Sequence, residues 1–306
     1  MTLPAITPGS AQASTLADVT PEIVQTNGSR RREIVRDFAH NRLGLVGLLI
    51  VVVTLLAAVI GPLLWHTSYS DQDATRLLSP RMSHPFGTDE LGRDVFSRIL
   101  HGALVSFEVS ILAVLIAAAI GVPIGLVAAF YGSVLDGVLM RCIDILFAIP
   151  PLVLAILIAG LLGPSRINAM IAIGVVYAPP FARVVRGSAL SIMTLPYVEA
   201  ARALGVPRLT IMVRHLLRNI MGPLIVLITV YLSSAVLTEA SLSFLGLGTQ
   251  PPEPSWGSML RDARAYMQIA PWLAIFPGAA IMLLVLGFNF LGDGLRDTLD
   301  PRSTHD

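Results

Sequence analysis

The chain has 306 residues, 54% hydrophobic and 13% charged, with a mean hydropathy of +0.74. Soluble domains carry about a quarter charged residues, so this chain, with its apolar residues in unbroken blocks, reads as a membrane protein. A net charge of +1 gives no footprint for nucleic acid, the single cysteine (Cys142) excludes an internal disulfide or a cysteine metal cluster, and the 21 basic residues are all arginine, which excludes a P-loop and a Schiff-base lysine.

Residues 1–29, rich in Ala, Thr, Pro and Ser, predict a disordered tail. Residues 30–42 predict an amphipathic helix lying in the interface plane, with Ile34, Val35 and Phe38 near one face and Arg31, Arg32 and Arg36 toward the other. Six spans are expected, at 43–64, 109–131, 141–162, 167–183, 220–238 and 269–291. The third and fourth contain the shortest apolar runs against the roughly 20 residues that a crossing needs. The fourth also carries a Pro179-Pro180 break. The fold class is therefore all-α and polytopic. The loop at 65–108 holds a helical stripe of Phe96, Leu100, Ala103 and Phe107, and a second sizeable loop lies at 239–268. Residues 292–306 form a closing tail. With the N-terminus inside, the inner segments hold 14 arginines and the outer ones 7, which puts both termini and the loop at 184–218 in the cytoplasm. Pro123, Pro150-Pro151, Pro179-Pro180, Pro223 and Pro277 each remove a backbone hydrogen bond. They fit either a path that opens and closes or ordinary membrane-helix irregularity.

Between Arg183 and Arg218 stand six arginines and one acid, Glu199. Pro196 can begin a helix, Gly205 suits the left-handed position that ends one, and Pro207 starts a second helix through Ile211 and Leu216. Ala200 and Ala201 permit close approach by a partner surface, and Glu199 sits well with the helix dipole. The residues alone leave two readings, a docking hairpin or a connecting loop packed on its own bundle. Arg141 and Asp144 are spaced to pair on one helix face at the start of the third span, as a structural ion pair or as part of a pathway. Glu239 falls at the outer end of the fifth span, a place for a pathway group, a brace of the outer gate or a solvated acid.

Longer motifs carry a family resemblance. These are Asn41-Arg42-Leu43-Gly44-Leu45-Val46-Gly47, the run His84 to Asp94 (HPFGTDELGRD), the run Glu239 to Gly248 (EASLSFLGLG), and Gly292-Asp293-Gly294-Leu295-Arg296-Asp297 followed by Asp300-Pro301-Arg302. With Glu199-Ala200-Ala201 and Gly205, they resemble the C-type permease subunit of dipeptide, oligopeptide and nickel importers of the ATP-binding-cassette (ABC) class. The resemblance runs from about Arg32 to Arg302 and implies a type I importer permease fold with its core at about 105–295. It implies a bacterial inner-membrane protein that forms a pore with a B-type permease subunit. It also implies two cytoplasmic ATPase subunits that carry ATP and Mg, an extracytoplasmic peptide-binding protein, and no catalytic or metal site in this chain. Glu199, Ala200, Ala201 and Gly205 become ATPase-coupling residues. Glu90, Arg93 and Asp94 become either the surface that receives the binding protein or internal bracing of their loop. Glu239, Arg141 and Asp144 are candidates for the path or its gate, with Glu239 positioned for a peptide amino group. One departure is Arg218, in His215-Leu216-Leu217-Arg218-Asn219, where the family carries proline. Without it the loop helix is expected to run on toward the fifth span with less of a break.

Two rivals are weaker. A secondary transporter needs an acid or His deep in a span, and the unbroken apolar runs contain none. An intramembrane enzyme has Ser233 and Ser234 but no His at span depth as base. Peptide is the first expectation for substrate. Nickel or another small solute is the alternative, with no His or Cys cluster in its favour.

Overall fold

The computed structural model describes residues 36–72 and 74–299. The expected tail at 1–29, the first part of the 30–42 helix and residues 300–306 lie outside the described residues. Among the described residues the chain is helical, apart from two isolated β-bridges, Arg81 with His84 and Thr88 with Asp94.

Residues 36–40 are helical and lead through Asn41 into α1 (Arg42–Leu64). Asn41 Oδ1 accepts from the Gly44 amide at 2.9 Å, which satisfies one of the free donors of the first turn. Its Nδ2 donates to Asp297 at 3.1 Å and ties the first helix to the last. Most of the large side chains of α1 face outward, as lipid contact requires, while Gly44, Gly47 and Ala58 are buried.

Helix α2 (Val95–Tyr131) has 37 residues and a length of about 55 Å. The expected span at 109–131 is its second part. The Phe96, Leu100, Ala103 and Phe107 stripe is its first part, not a separate loop helix: the helix runs on through Pro123 and ends only at Gly132, whose φ is +59°.

The third expected span is not one helix. Helices α3 (Ser133–Phe147) and α4 (Pro151–Leu162) meet at 90°. Pro150 and Pro151 offer no amide to the preceding turn, and a residue before proline is pushed out of the helical region. Pro150 accordingly sits at φ −53°, ψ 133° and Pro151 opens the next helix.

The fourth expected span corrects in the opposite sense. Helix α5 (Arg166–Met193) continues through Pro179-Pro180 for 28 residues, so Arg183 and Arg186 lie on a helix rather than at a loop boundary. Ala178, Phe181 and Ala182 are packed almost completely around the proline pair. Neighbouring helices can hold a proline-weakened turn in this way. The α2–α5 contact is backbone-close: a Cβ on Gly121 would lie 2.4 Å from the Ala178 carbonyl oxygen, and one on Gly125 2.5 Å from that of Ala182. This spacing of small residues is a common route to tight helix packing in membranes.

After α5 come α6 (Pro196–Ala203), the short α7 (Arg208–Thr210) with its π-helical continuation over Ile211–Leu217, α8 (Met221–Phe244), α9 (Trp256–Ala263) and α10 (Trp272–Leu299). Arg218 keeps helical angles, φ −62°, ψ −34°, and the break comes at Ile220, φ −91°, ψ 2°. Pro223 supplies the reason: it has no amide for the Asn219 carbonyl and its ring crowds that group. The break between the loop helix and the next span is thus made at Ile220, two residues after Arg218.

Five helices are long and apolar enough to cross a membrane, and the bent α3–α4 pair makes a sixth candidate. The protein is all-α and polytopic. One apolar core joins α2, α4, α5 and α8 with the α5–α8 connection, and a second fills the space between α1, the start of α2, α9 and α10. Helix α2 begins beside residues 65–94, and its last residue, Tyr131, reaches the α5–α8 connection, where Arg208 lies over the Tyr131 ring at 5.5 Å. The α1–α2 loop and the α5–α8 hairpin therefore occupy opposite ends of the bundle.

Candidate functional site

The hairpin begins with α6, which Pro196 opens at a first-turn position where a missing amide costs nothing. Glu199 lies in the first turn, near the positive end of the dipole. The helix ends in a left-handed glycine cap. Gly205 has φ +73°, its amide donates to the Arg202 carbonyl at 3.0 Å, and the Val206 amide donates to the Ala201 carbonyl at 3.1 Å. The turn returns the chain against its own bundle, where Val198 and Ile211 are almost fully buried.

Three of the four expected coupling residues, Glu199, Ala200 and Gly205, are exposed together on this hairpin. Ala201 is not one of them: it is buried, with Val198, on the inward face of α6. Two further residues stand out at the tip, Leu204 at 83% exposed and Leu209 at 70%. Large apolar groups so exposed beside arginines form the kind of patch that a partner covers.

Arg141 and Asp144 do not pair with each other. Asp144 is bound instead by Arg183 Nη2 at 2.7 Å, while Arg183 also lies 4.0 Å over the Phe147 ring. One turn along α5, Arg186 donates Nε and Nη2 to the two oxygens of Asp136, each at 2.5 Å. These pairs fasten α3 to the second half of α5. The sequence reading missed them because residues 132–140 fell between the expected second and third spans, Arg183 at the end of the fourth, and Arg186 in the loop at 184–218. The i, i+3 spacing of the two arginines was the available signal. Arg141 is exposed.

Glu239 lies within α8 and is buried, neither terminal nor solvated. Ser243 Oγ donates to its Oε1 at 2.7 Å and Ser106 Oγ to its Oε2 at 3.4 Å, so the carboxyl joins α8 to α2.

The loop residues Glu90, Arg93 and Asp94 are engaged internally. Asp94 is 1% exposed. It caps α2 through the Ser97 amide, accepts from Trp65 Nε1 at 2.9 Å, and lies 2.9 Å from His84 Nδ1. That burial removes it from any docking surface in this conformation. Arg93 Nε donates to Asp89 at 2.6 Å and its Nη2 to Glu90 at 3.1 Å. Burial, with the Asp89 charge beside it, pushes the Glu90 carboxyl up.

The helical bundle and the hairpin that carries Glu199, Ala200 and Gly205 at its surface agree with one class, the ABC importer permease. A chain of the inward-facing MetNI methionine ABC transporter shares this fold, with a TM-score of 0.55 at 20% identity over 66% of this chain and 95% of that one. The chain belongs to the family of binding-protein-dependent transport system inner membrane components, whose pattern matches residues 121–305. The N-terminal TM domain of oligopeptide transport permease C matches residues 29–80. Among curated relatives, the dipeptide transport system permease protein DppC of Alkalihalophilus pseudofirmus is 44% identical over 92% of this chain and 93% of its own length. The glutathione transport system permease protein GsiD of Pectobacterium atrosepticum is 42% identical over 89% of each. The protein is therefore a multi-pass inner-membrane permease component of a binding-protein-dependent ABC importer.

Proposed function

We propose that the chain is one half of the translocation pore of an importer for dipeptides or other short peptides, driven by ATP hydrolysed on separate subunits. The exposed α6 hairpin carries this reading: Glu199 and Ala200 on one turn, Gly205 at the bend and two exposed leucines at the tip are a surface built for a protein partner. The partners are two ATPase subunits on the hairpin side, which hold ATP and Mg, and a peptide-binding protein at the opposite end of the bundle. A B-type permease subunit completes the pore. The arginine asymmetry supports a cytoplasmic hairpin and cytoplasmic termini. The names of the relatives, dipeptide and glutathione permeases at 44% and 42% identity, support a peptide substrate. Glu90 and Arg93, partly exposed on the loop at 65–94, remain candidates to meet the binding protein. Asp94 acts behind them as a brace.

The test is purification of the chain with its operon partners, followed by mass spectrometry of the bound solute and measurement of ATP hydrolysis. The expected result is a four-subunit membrane complex whose binding protein carries short peptides and stimulates hydrolysis. A bound nickel complex would refute the peptide assignment, and an active transporter without ATPase subunits would refute the mechanism.

A further inference from the structure

We infer that the groove between the end of α2 and the hairpin seats a carboxylate-bearing segment of the ATPase subunit, gripped by Arg202 and Arg208. The inference rests on the docking reading above and adds the chemistry of the partner surface. The groove has a volume of about 630 Å³ and is lined by Phe130, Tyr131, Arg202, Val206, Pro207 and Arg208, among others. That is ample room for one or two side chains.

The arginines are positioned but not neutralised. The Arg202 guanidinium lies 5.0 Å from the Phe130 ring centroid and that of Arg208 5.5 Å from the Tyr131 centroid. A ring beneath a guanidinium fixes its place by a cation–π contact and leaves N–H donors directed elsewhere. Among the described residues, neither arginine makes an ion pair or a side-chain hydrogen bond. Over residues 196–219 there are four arginines, at 202, 208, 214 and 218, and one acid, Glu199, so the local formal charge is 4 − 1 = +3. Two guanidinium groups that line one groove and lack an acidic partner among the described residues match a carboxylate in both charge and planar geometry. The groove also opens beside Gly205 and the exposed Leu204, so an acid seated in it would be continuous with the proposed docking surface.

The test measures binding of the purified ATPase to the assembled permease pair in nanodiscs of neutral phosphatidylcholine and, in parallel, in discs containing phosphatidylglycerol. The variants are R202E/R208E, the milder R202Q/R208Q, and R214E as a control for general charge on the same hairpin. Each lost charge-assisted contact is worth tenfold or more in affinity, so both double variants should weaken binding by about 100-fold or more, and R214E by less than about tenfold. The milder variant separates loss of the contact from damage to the hairpin. Wild-type affinity should also fall with salt. Near-normal binding by both double variants would overturn the carboxylate seat and leave the docking hairpin standing. Failure of the wild type itself to bind would overturn the docking reading and the seat with it. A defect confined to discs containing phosphatidylglycerol would overturn the inference in favour of an anionic lipid headgroup.

Discussion

Substitution of Gly205 isolates the backbone of the hairpin from its contacts. Gly205 has φ +73°, and a Cβ built there meets nothing within 4 Å. Any cost of a side chain is therefore conformational and not steric. An L-residue in the left-handed region costs about 1–2 kcal/mol. That shifts the local equilibrium between the native turn and alternatives by about 5–30-fold. The bonds at stake are Gly205 to Arg202 and Val206 to Ala201, which close α6 and set the direction of the second helix. Asparagine tolerates positive φ, alanine less so, and a β-branched residue least. The expected order of coupling is thus Gly, Asn, Ala, Val. The assay is peptide uptake per ATP hydrolysed, with the assembled complex in proteoliposomes. Membrane insertion of the chain should stay normal throughout. Normal coupling in Gly205→Val, or a ranking that follows side-chain size with Asn below Ala, would refute the claim that this turn's backbone transmits motion.

Other perturbations test the packing that supports the site. Asp136→Asn should lower thermal stability by about 1 kcal/mol, the upper range for a partly exposed pair, and the exchange D136R/R186D should recover most of it; no recovery would mean that the pair does not hold α3 to α5. Glu239→Gln keeps an acceptor for Ser243 and should leave uptake nearly unchanged, whereas Glu239→Ala should cost about 1–3 kcal/mol, read as a lower unfolding temperature. Loss of uptake in a well-folded Glu239→Gln would instead make this carboxyl part of the path. Gly121→Leu drives a side chain into the α5 backbone and should destabilise by about 1–3 kcal/mol, seen as a lower unfolding temperature in detergent. Gly160→Leu, on an open surface of α4, should not.

The sequence made legible what repeats along a helix or fixes a single backbone angle. The apolar blocks fall on α1, α2, α5, α8, α10 and the bent α3–α4 pair, Pro196 opens α6 and Gly205 caps it, and the stripe from Phe96 to Phe107 lies on the first part of α2. What it left out depends on distant partners. Nothing local to Asp144 names Arg183, 39 residues away, in place of Arg141 at three. The two proline pairs look alike in sequence. Pro150-Pro151 turns the chain by 90°, while Pro179-Pro180 lies inside one continuous helix whose neighbouring residues are buried. For Asp94 and Glu239 the sequence leaves a surface or pathway role and an internal brace both open, because acids are usually exposed and nothing local names a buried partner. Their burial rests on donors brought from Trp65, Ser97, Ser106 and Ser243.

The most direct test of an ATP-driven peptide importer is uptake of a labelled dipeptide by proteoliposomes holding the whole complex. Uptake should require ATP on the hairpin side and the binding protein on the other, and should persist when the proton gradient is collapsed. Uptake that follows a proton gradient without ATP would contradict the account.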